Sequence, residues 1–366
     1  MQVLSLRIHQ YRNFDSQQVD FCPGTNLLFG CNGQGKTNLL EAVYLLGYGR
    51  SFRTSNPREC IQHQQNECAI EGKVEHGSGV REVGLSISRE QGKQLLLFRK
   101  PVELEQYIGN LHVLAFTQEH LKVVRGGPGE RRAFLDRALL AILPGHMQRL
   151  AAYLRTLKQR NHLLGAALAR GGTPDATLLD SWDEKLVREG SRILSNRRHY
   201  VEEIRKELAA GFWNHEILEI RYCSTIPAVG SGVEEIERGF RRKLVEARRL
   251  DERRGYTSVG PHRDDLTMLL DGKSLADFGS AGQQRSWLLS LYFSQMEIHR
   301  KTCGFFPVFL MDDVEAELDD RRLQVFLGHL SGRTQTFLTT AKEHALPALG
   351  PEAARFRVGE GKIFSC

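Results

Sequence analysis

The sequence predicts an α/β fold in which one head is built from both ends of the chain and a mainly helical lobe is inserted between them. Three observations predict it. A glycine-rich loop follows a short apolar strand near the start, and an apolar strand of the fully buried kind ends in paired carboxylates near the end. Between them the apolar residues change from a two-residue to a three- and four-residue spacing, as expected where strands give way to helices. The boundaries are drawn at 120 and 255: the head's N-terminal part over 1–120, the helical lobe over 121–255 and the head's C-terminal part over 256–366.

In chain order, Val3–Ile8 and Gln18–Phe21 alternate with period two, and Pro23-Gly24 turns the chain into the apolar strand Asn26–Phe29. A helix is expected over Thr37–Leu46, with Leu39, Leu40, Val43 and Leu46 on one face. Three strand-like runs follow, around Ala69–Val74, Val80–Ser88 and Leu95–Phe98, and their Gly-rich separators suggest antiparallel hairpins. From Glu130 to about Arg170 the pattern reads as one helix, broken at Gly171–Asp175. A second helix from about Leu178 to Ala210 completes a short antiparallel hairpin, with no long coiled coil. Leu218–Tyr222 reads as a strand and Val233–Leu250 as a basic helix. The last hundred residues return to alternation: a strand at Leu266–Leu270, a helix at Gln283–Ile298, a buried parallel strand at Phe306–Met311 and another at Thr336–Thr340.

Composition narrows the class. No apolar stretch approaches the ~20 residues of a membrane span, and Met1–Arg7 lacks the features of a signal peptide. Seven scattered cysteines, never spaced C-x-x-C, argue against a disulfide framework or zinc ribbon and fit a reducing cytoplasm. The net charge of +6 is a mild pointer to a polyanionic partner. Arg241-Arg242-Lys243, Arg248-Arg249 and Arg253-Arg254 crowd one segment, where interspersed Glu makes a solvated helix face an equal reading.

The chemistry is carried by three motifs. Gly30-Cys31-Asn32-Gly33-Gln34-Gly35-Lys36-Thr37, followed by Asn38, fits the phosphate-loop pattern. Its glycines let backbone N–H groups turn toward phosphate oxygens, Lys36 can reach the β- and γ-phosphates, and the Thr37 hydroxyl can ligate Mg²⁺. Asp312, at the end of the buried strand, is assigned to the metal, and Asp313 to polarising the attacking water. Ser280-Ala281-Gly282-Gln283 opens a helix whose free N–H groups suit an anion, although an ordinary N-cap explains the same residues. A phosphate loop, a Ser-Gly-Gln motif and a late carboxylate pair, in that order, resemble an ABC/SMC-type ATPase head with ATP and Mg²⁺ as its cofactors.

A narrower resemblance follows from Gly260-Pro261-His262-Arg263-Asp264-Asp265-Leu266, Gly282-Gln283-Gln284-Arg285 and Asp312-Asp313-Val314 with Glu317-Leu318-Asp319. With Gly126-Gly127-Pro128 and Arg131–Asp136, these blocks resemble the RecF family over essentially the whole chain. The resemblance implies an ATP-dependent homodimer that binds duplex and gapped DNA and hydrolyses ATP weakly. It implies a pathway with RecR and RecO that loads RecA, with Asp319 in the loop crossing the dimer interface.

Several positions depart from the family pattern or stay open. Gln118 stands where Pro is common; it could ligate Mg²⁺ as a Q-loop glutamine or serve as a turn residue. Ala316 replaces the usual Ser, and Thr339-Thr340 stand where ABC proteins place a switch His. Asp313 replaces the Glu usual in ABC-type engines; being one methylene shorter, it implies loose positioning of water and slow hydrolysis. His262 and Arg263 are equally compatible with an internal salt bridge to Asp264 or Asp265 and with a place near the nucleotide. The competing class is the nucleotide-binding subunit of a membrane transporter, which shares the phosphate-loop chemistry; a P-loop kinase is a third reading.

Overall fold

The computed structural model describes residues 1–77, 79–143, 145–209, 217–227, 232–317, 320–341 and 353–366, and for 118, 316, 317, 320 and 321 the backbone alone. Packing divides the chain into two compact units, one of 1–121 with 296–366 and one of 122–295. Strand β1 (Gln2–Tyr11) folds back on β2 (Phe14–Asp20), and β3 (Thr25–Phe29) leads into helix α1 (Lys36–Tyr48). Then come β4 (Glu67–His76), β5 (Gly79–Ser88), β6 (Gly92–Leu97), β7 (Lys100–Val102) and β8 (Val113–Phe116). The helical stretch holds α2 (Pro128–Ile142), α3 (His146–Ala169) and α4 (Ala176–Ala209), then β9 (Leu218–Cys223) and α5 (Val233–Arg254). It is followed by β10 (Asp265–Leu270), β11 (Lys273–Ser274) and α6 (Ala281–Cys303). The chain closes with β12 (Val308–Met311), α7 (Asp320–Leu330), β13 (Thr336–Thr340), β14 (Ala354–Gly359) and β15 (Lys362–Ser365).

The first unit contains two six-stranded sheets. One is antiparallel in the order β2-β1-β4-β5-β6-β7, which includes the expected hairpins. The other runs β15-β14-β3-β13-β12-β8, with five parallel strands and β15 antiparallel at the edge. Every residue of β12 and β13 is buried, which is why both read as unbroken apolar or small-residue runs rather than alternating ones. Helix α1 is buried on nearly every side, so Leu39, Leu40, Val43 and Leu46 share a core with Val3, Leu6, Ile70, Leu85, Val113 and Leu310. It stops where Gly49 takes φ 62° and returns its N–H to the Leu45 carbonyl. The short strands β7, β8, β14 and β15 were not legible in the sequence, because three to six residues leave too little periodicity.

The second unit centres on α3, α4 and α5, whose Tyr153, Leu186, Ile193, Leu194, Phe240 and Leu244 form one core. The single helix expected over 130–170 is two: Leu143 is extended and Gly145 has φ 82°, so α2 ends and α3 begins anew. The Pro144-Gly145 dipeptide in the sequence is the signal that should have marked this break. Strand β10 pairs antiparallel with β9 along its whole length, which draws residues after 255 into this unit as far as Gln295. Among the described residues no helix is long and apolar enough to cross a membrane.

Candidate functional site

The register of the parallel sheet brings the site together. Phe29 pairs with Thr340, and Leu338 with Met311, so the carboxyl ends of β3, β13 and β12 share one edge. Ligands of open α/β sheets bind at that edge, where loops leave the strands and helix N-termini face outward. There a cleft of about 550 Å³ is lined by Asn32, Gly33, Gly35, Lys36, Thr37, Asn38, Phe52, Arg53, Thr117, Glu119, Asp312, Asp313 and Thr339.

Two glycines make the loop possible. A Cβ on Gly30 would stand 2.2 Å from the Val358 carbonyl oxygen, and Gly30 has φ 146°. Gly35 has φ 112°, and a Cβ there would collide with Asn13 and the Phe14 ring. Asn13 braces the loop from outside: its amide donates to the Gln34 carbonyl at 2.8 Å and its oxygen accepts from Asn38 at 2.8 Å. Gln34 in turn accepts the Glu360 N–H at 2.8 Å. The Lys36 ammonium donates to the carbonyls of Gly30, at 2.5 Å, and Cys31, at 2.9 Å.

At the floor of the cleft, Thr37 Oγ1 donates to the Asp312 carboxylate at 2.9 Å across 275 residues of sequence. Thr339 Oγ1 donates to the same carboxylate at 2.7 Å and accepts the Asp313 N–H at 2.7 Å. Asp313 adopts φ 51°, a left-handed conformation uncommon outside Gly, Asn and Asp. Burial, followed by the charges of Asp312 and Glu315, pushes the Asp313 carboxyl above its usual range. Burial lowers the Lys36 ammonium, against the opposing pull of Asp313 and Asp312. A hydroxyl and a carboxylate in direct contact are the hard oxygen donors that Mg²⁺ takes. Thr37 and Asp312 would hold that ion, which when bound neutralises charge on phosphate oxygens.

The Ser280 motif lies in the second unit and caps its own helix. Ser280 Oγ accepts the Gln283 N–H at 3.2 Å, and Gln283 Oε1 accepts the Ser280 N–H at 3.0 Å. This reciprocal capping box satisfies two helix-end donors and begins α6 at Ala281, with Gly282 in its first turn. Gln284 is the buried anchor, accepting from Arg125 at 2.6 Å and donating to the Gly279 carbonyl at 3.0 Å. Asp319 and the Gln118 side chain lie outside the described residues; the backbone of Gln118 opens the 3-10 turn Gln118–Leu121.

His262 and Arg263 make their contacts within the second unit, His262 half-buried and Arg263 exposed, and neither pairs with Asp264 or Asp265. His262 Nδ1 meets the Tyr153 hydroxyl at 2.7 Å and its Nε2 meets the Thr257 carbonyl at 3.1 Å. Arg263 reaches the Thr257 carbonyl and lies over the Tyr256 ring. Asp265 instead takes Arg131 through two hydrogen bonds, and Asp264 accepts from the Tyr222 hydroxyl at 2.6 Å. The basic segment is largely neutralised: Arg241 pairs with Glu184, Lys243 with Glu246, and Arg248 with Asp180 and Asp183.

Asn13, Phe52, Arg53 and Glu119 line or brace the cleft without having been read from the sequence. Arg53 donates to Asn38 at 2.7 Å and lies 3.8 Å from the buried Glu41, which also holds Arg12, Tyr11 and Ser51. These residues sit in turns, where no periodicity flags them. A charged Glu41 amid the apolar α1 was the one visible signal.

The family profile "RecF/RecN/SMC N terminal domain" matches residues 2–354. A protein from Oceanobacillus iheyensis named "DNA replication and repair protein RecF" is 36% identical over 369 residues, covering 99% of this chain and all of the relative. The equally named protein of an Exiguobacterium species is 35% identical, with 99% of each chain covered. Among solved structures, the recombination mediator protein RecF with ATP, in the RecFOR pathway, superposes with a TM-score of 0.90 at 30% identity. That alignment covers all of this chain and 97% of the other.

Proposed function

The chain belongs to the RecF family, within the RecF/RecN/SMC N-terminal domain type, and from that premise we propose that it is an ATP-gated DNA-binding protein of replication and repair. One observation carries the chemical half of this reading. Thr37 of the phosphate loop and Asp312 of the late carboxylate pair meet at 2.9 Å beside Lys36, in a cleft with room for a nucleotide's phosphates. In this reading ATP and Mg²⁺ occupy that cleft and two copies close around them, each offering its Ser280-Gly282-Gln283 helix N-terminus to the other's γ-phosphate. Asp319 contributes to that interface. Closure makes a clamp on duplex or gapped DNA, and slow hydrolysis at Asp313 releases it. RecR and RecO are its partners in loading RecA, and the cytoplasm is its compartment.

Contacts with DNA are mainly to phosphates, hence sensitive to salt and indifferent to sequence. The ion pairs of Arg241, Lys243 and Arg248 make them poor contact candidates. Exposed Arg249, Arg253 and Arg254, which form no salt bridge with another described residue, are better ones. Arg254→Ala is expected to lower the slope of log affinity against log salt by ~1, whereas Arg241→Ala leaves it unchanged. The reverse ranking rejects this assignment.

The deciding experiment is binding to gapped duplex DNA with and without ATP, while sedimentation reports the oligomer. ATP-dependent binding by a dimer, lost in Lys36→Ala, is the expected result. ATP binding without a dimer and without DNA affinity overturns the clamp. Recruitment to membranes by a hydrophobic partner, with no DNA affinity, would favour the transporter-subunit reading instead.

A further inference from the structure

The first unit contains a second cluster of ligating side chains, made by the residue that precedes β8 and the end of α6. His112 Nδ1 and His299 Nε2 face each other at 2.6 Å. The Cys303 sulfur completes a group whose three ligand atoms lie within 4.8 Å of one another. The outer nitrogens are already engaged: His112 Nε2 stands 3.2 Å from the Gly109 carbonyl, and His299 Nδ1 stands 2.8 Å from the Phe305 carbonyl.

Two neutral imidazoles carry two N–H groups between them. Carbonyl oxygens only accept, so donating to both Gly109 and Phe305 uses both protons. In that tautomer pair the facing nitrogens present lone pairs to each other at 2.6 Å, shorter than the ~2.7–3.2 Å of ordinary N–H hydrogen bonds. A cation placed between and beside them removes the repulsion. Backbone carbonyls that orient each ring through its outer N–H are also the second-shell arrangement of metal-binding histidines.

We infer that His112, His299 and Cys303 form a binding site for a borderline-soft divalent cation of the Zn²⁺ class. Two imidazoles and a thiolate are the donor set that favours such an ion over Mg²⁺ or Ca²⁺. Tetrahedral coordination at about 2.0–2.1 Å to nitrogen and 2.3 Å to sulfur places neighbouring ligand atoms about 3.3–3.6 Å apart. The histidine pair has to open by less than about 1 Å and the thiol to close by at most about 1.3 Å, within the reach of side-chain rotation. The Phe305 ring covers both imidazoles edge-on, at 5.3 and 5.1 Å between centroids, and shields one side of the site. The ion would tie His112 to His299 and Cys303, nearly two hundred residues away in sequence. It would reinforce the seam where the Val308 N–H already donates to the His112 carbonyl at 2.9 Å. Three protein ligands leave a fourth position for water.

The test uses the full chain, freed of metal with a chelator and titrated with Co²⁺ alone. One equivalent of Co²⁺ is expected to give tetrahedral ligand-field bands and a thiolate-to-metal charge-transfer band, both removed by added Zn²⁺. Cys303→Ser, at a half-buried helix end, should abolish the charge-transfer band, and His112→Gln should weaken binding at least about tenfold. Zn²⁺ should raise the melting temperature of the wild type but not of Cys303→Ser. No cobalt bands at one equivalent, or bands unchanged in Cys303→Ser, overturn the inference. The first outcome assigns the pair to a plain N–H···N hydrogen bond that forgoes Gly109, and the second assigns the metal to another site. Should His112→Gln fail to fold by circular dichroism, Cys303→Ser decides alone.

Discussion

The cleft of the first unit and the polar interior of the second are built from the same residue types and put them to opposite uses. In the cleft, Asp312, Asp313 and Glu315 crowd one lysine, and Asp312 and Asp313 remain partly exposed. In the second unit Arg160 is fully buried and bonded to Asp183, Asp251 and Thr257, while Arg197 forks onto Asp136 and donates to the Pro261 carbonyl. One set of charges is unbalanced and open to a cleft; the other is paired and sealed. Charge that the protein leaves uncompensated is available to a ligand, whereas charge it neutralises internally positions helices. The difference explains why Gly260–Leu266 looks functional in the sequence yet acts as a structural hub: its Pro261 carbonyl, His262 and Asp264 all bond to helices or strands of their own unit.

The largest effect is expected at Arg197. Arg197→Ala strands the buried Asp136 carboxylate and is expected to cost ~3–5 kcal/mol in urea unfolding. Arg241→Ala, at an exposed pair, should cost under ~1 kcal/mol. Equal costs would mean that burial does not separate the two kinds of pair.

Next comes Asp313→Asn, which should leave ATP affinity intact while lowering turnover by ~10²-fold or more, measured by phosphate release. Asp313→Glu, restoring the longer side chain, should raise it. Faster turnover in Asp313→Asn would remove the residue from water activation.

A smaller effect follows from His262. Burial holds its imidazole down to about 4, against ~6.5 in the unfolded chain, so the folded state binds fewer protons between those values. The stabilising contribution is complete above pH ~6.5 and is lost as pH falls toward 4. His262→Gln should flatten that part of the melting-temperature profile by up to one proton's worth of slope. An unchanged profile would show that His262 titrates normally. Arg254→Ala in the salt titration is the smallest of these tests, since it moves a slope without moving the fold.

How much was legible follows from the range of each signal. The phosphate loop, α1, the hairpins β4–β6 and the buried strands β12 and β13 were readable because each is written in consecutive residues as a motif or a period. The break between α2 and α3 is written just as locally, as Pro144-Gly145, but the helical period continues on both sides of it. Arg53 and Asn13 could not be read, because turn residues carry no period and their role depends on where α1 brings them.

Consecutive residues alone carried the family, the glycine-rich loop after a short apolar strand and the acidic end of a buried strand. Those are local requirements: glycine where no side chain fits, and apolar runs where both faces are covered. The tertiary structure decided which charges stay available. It set Asp312 against Thr37 through the register of β3, β13 and β12, sealed Arg160 and Arg197, and brought His112 against His299. Pairing, burial and proton count depend on what stands opposite a side chain in space, and no window along the chain contains that.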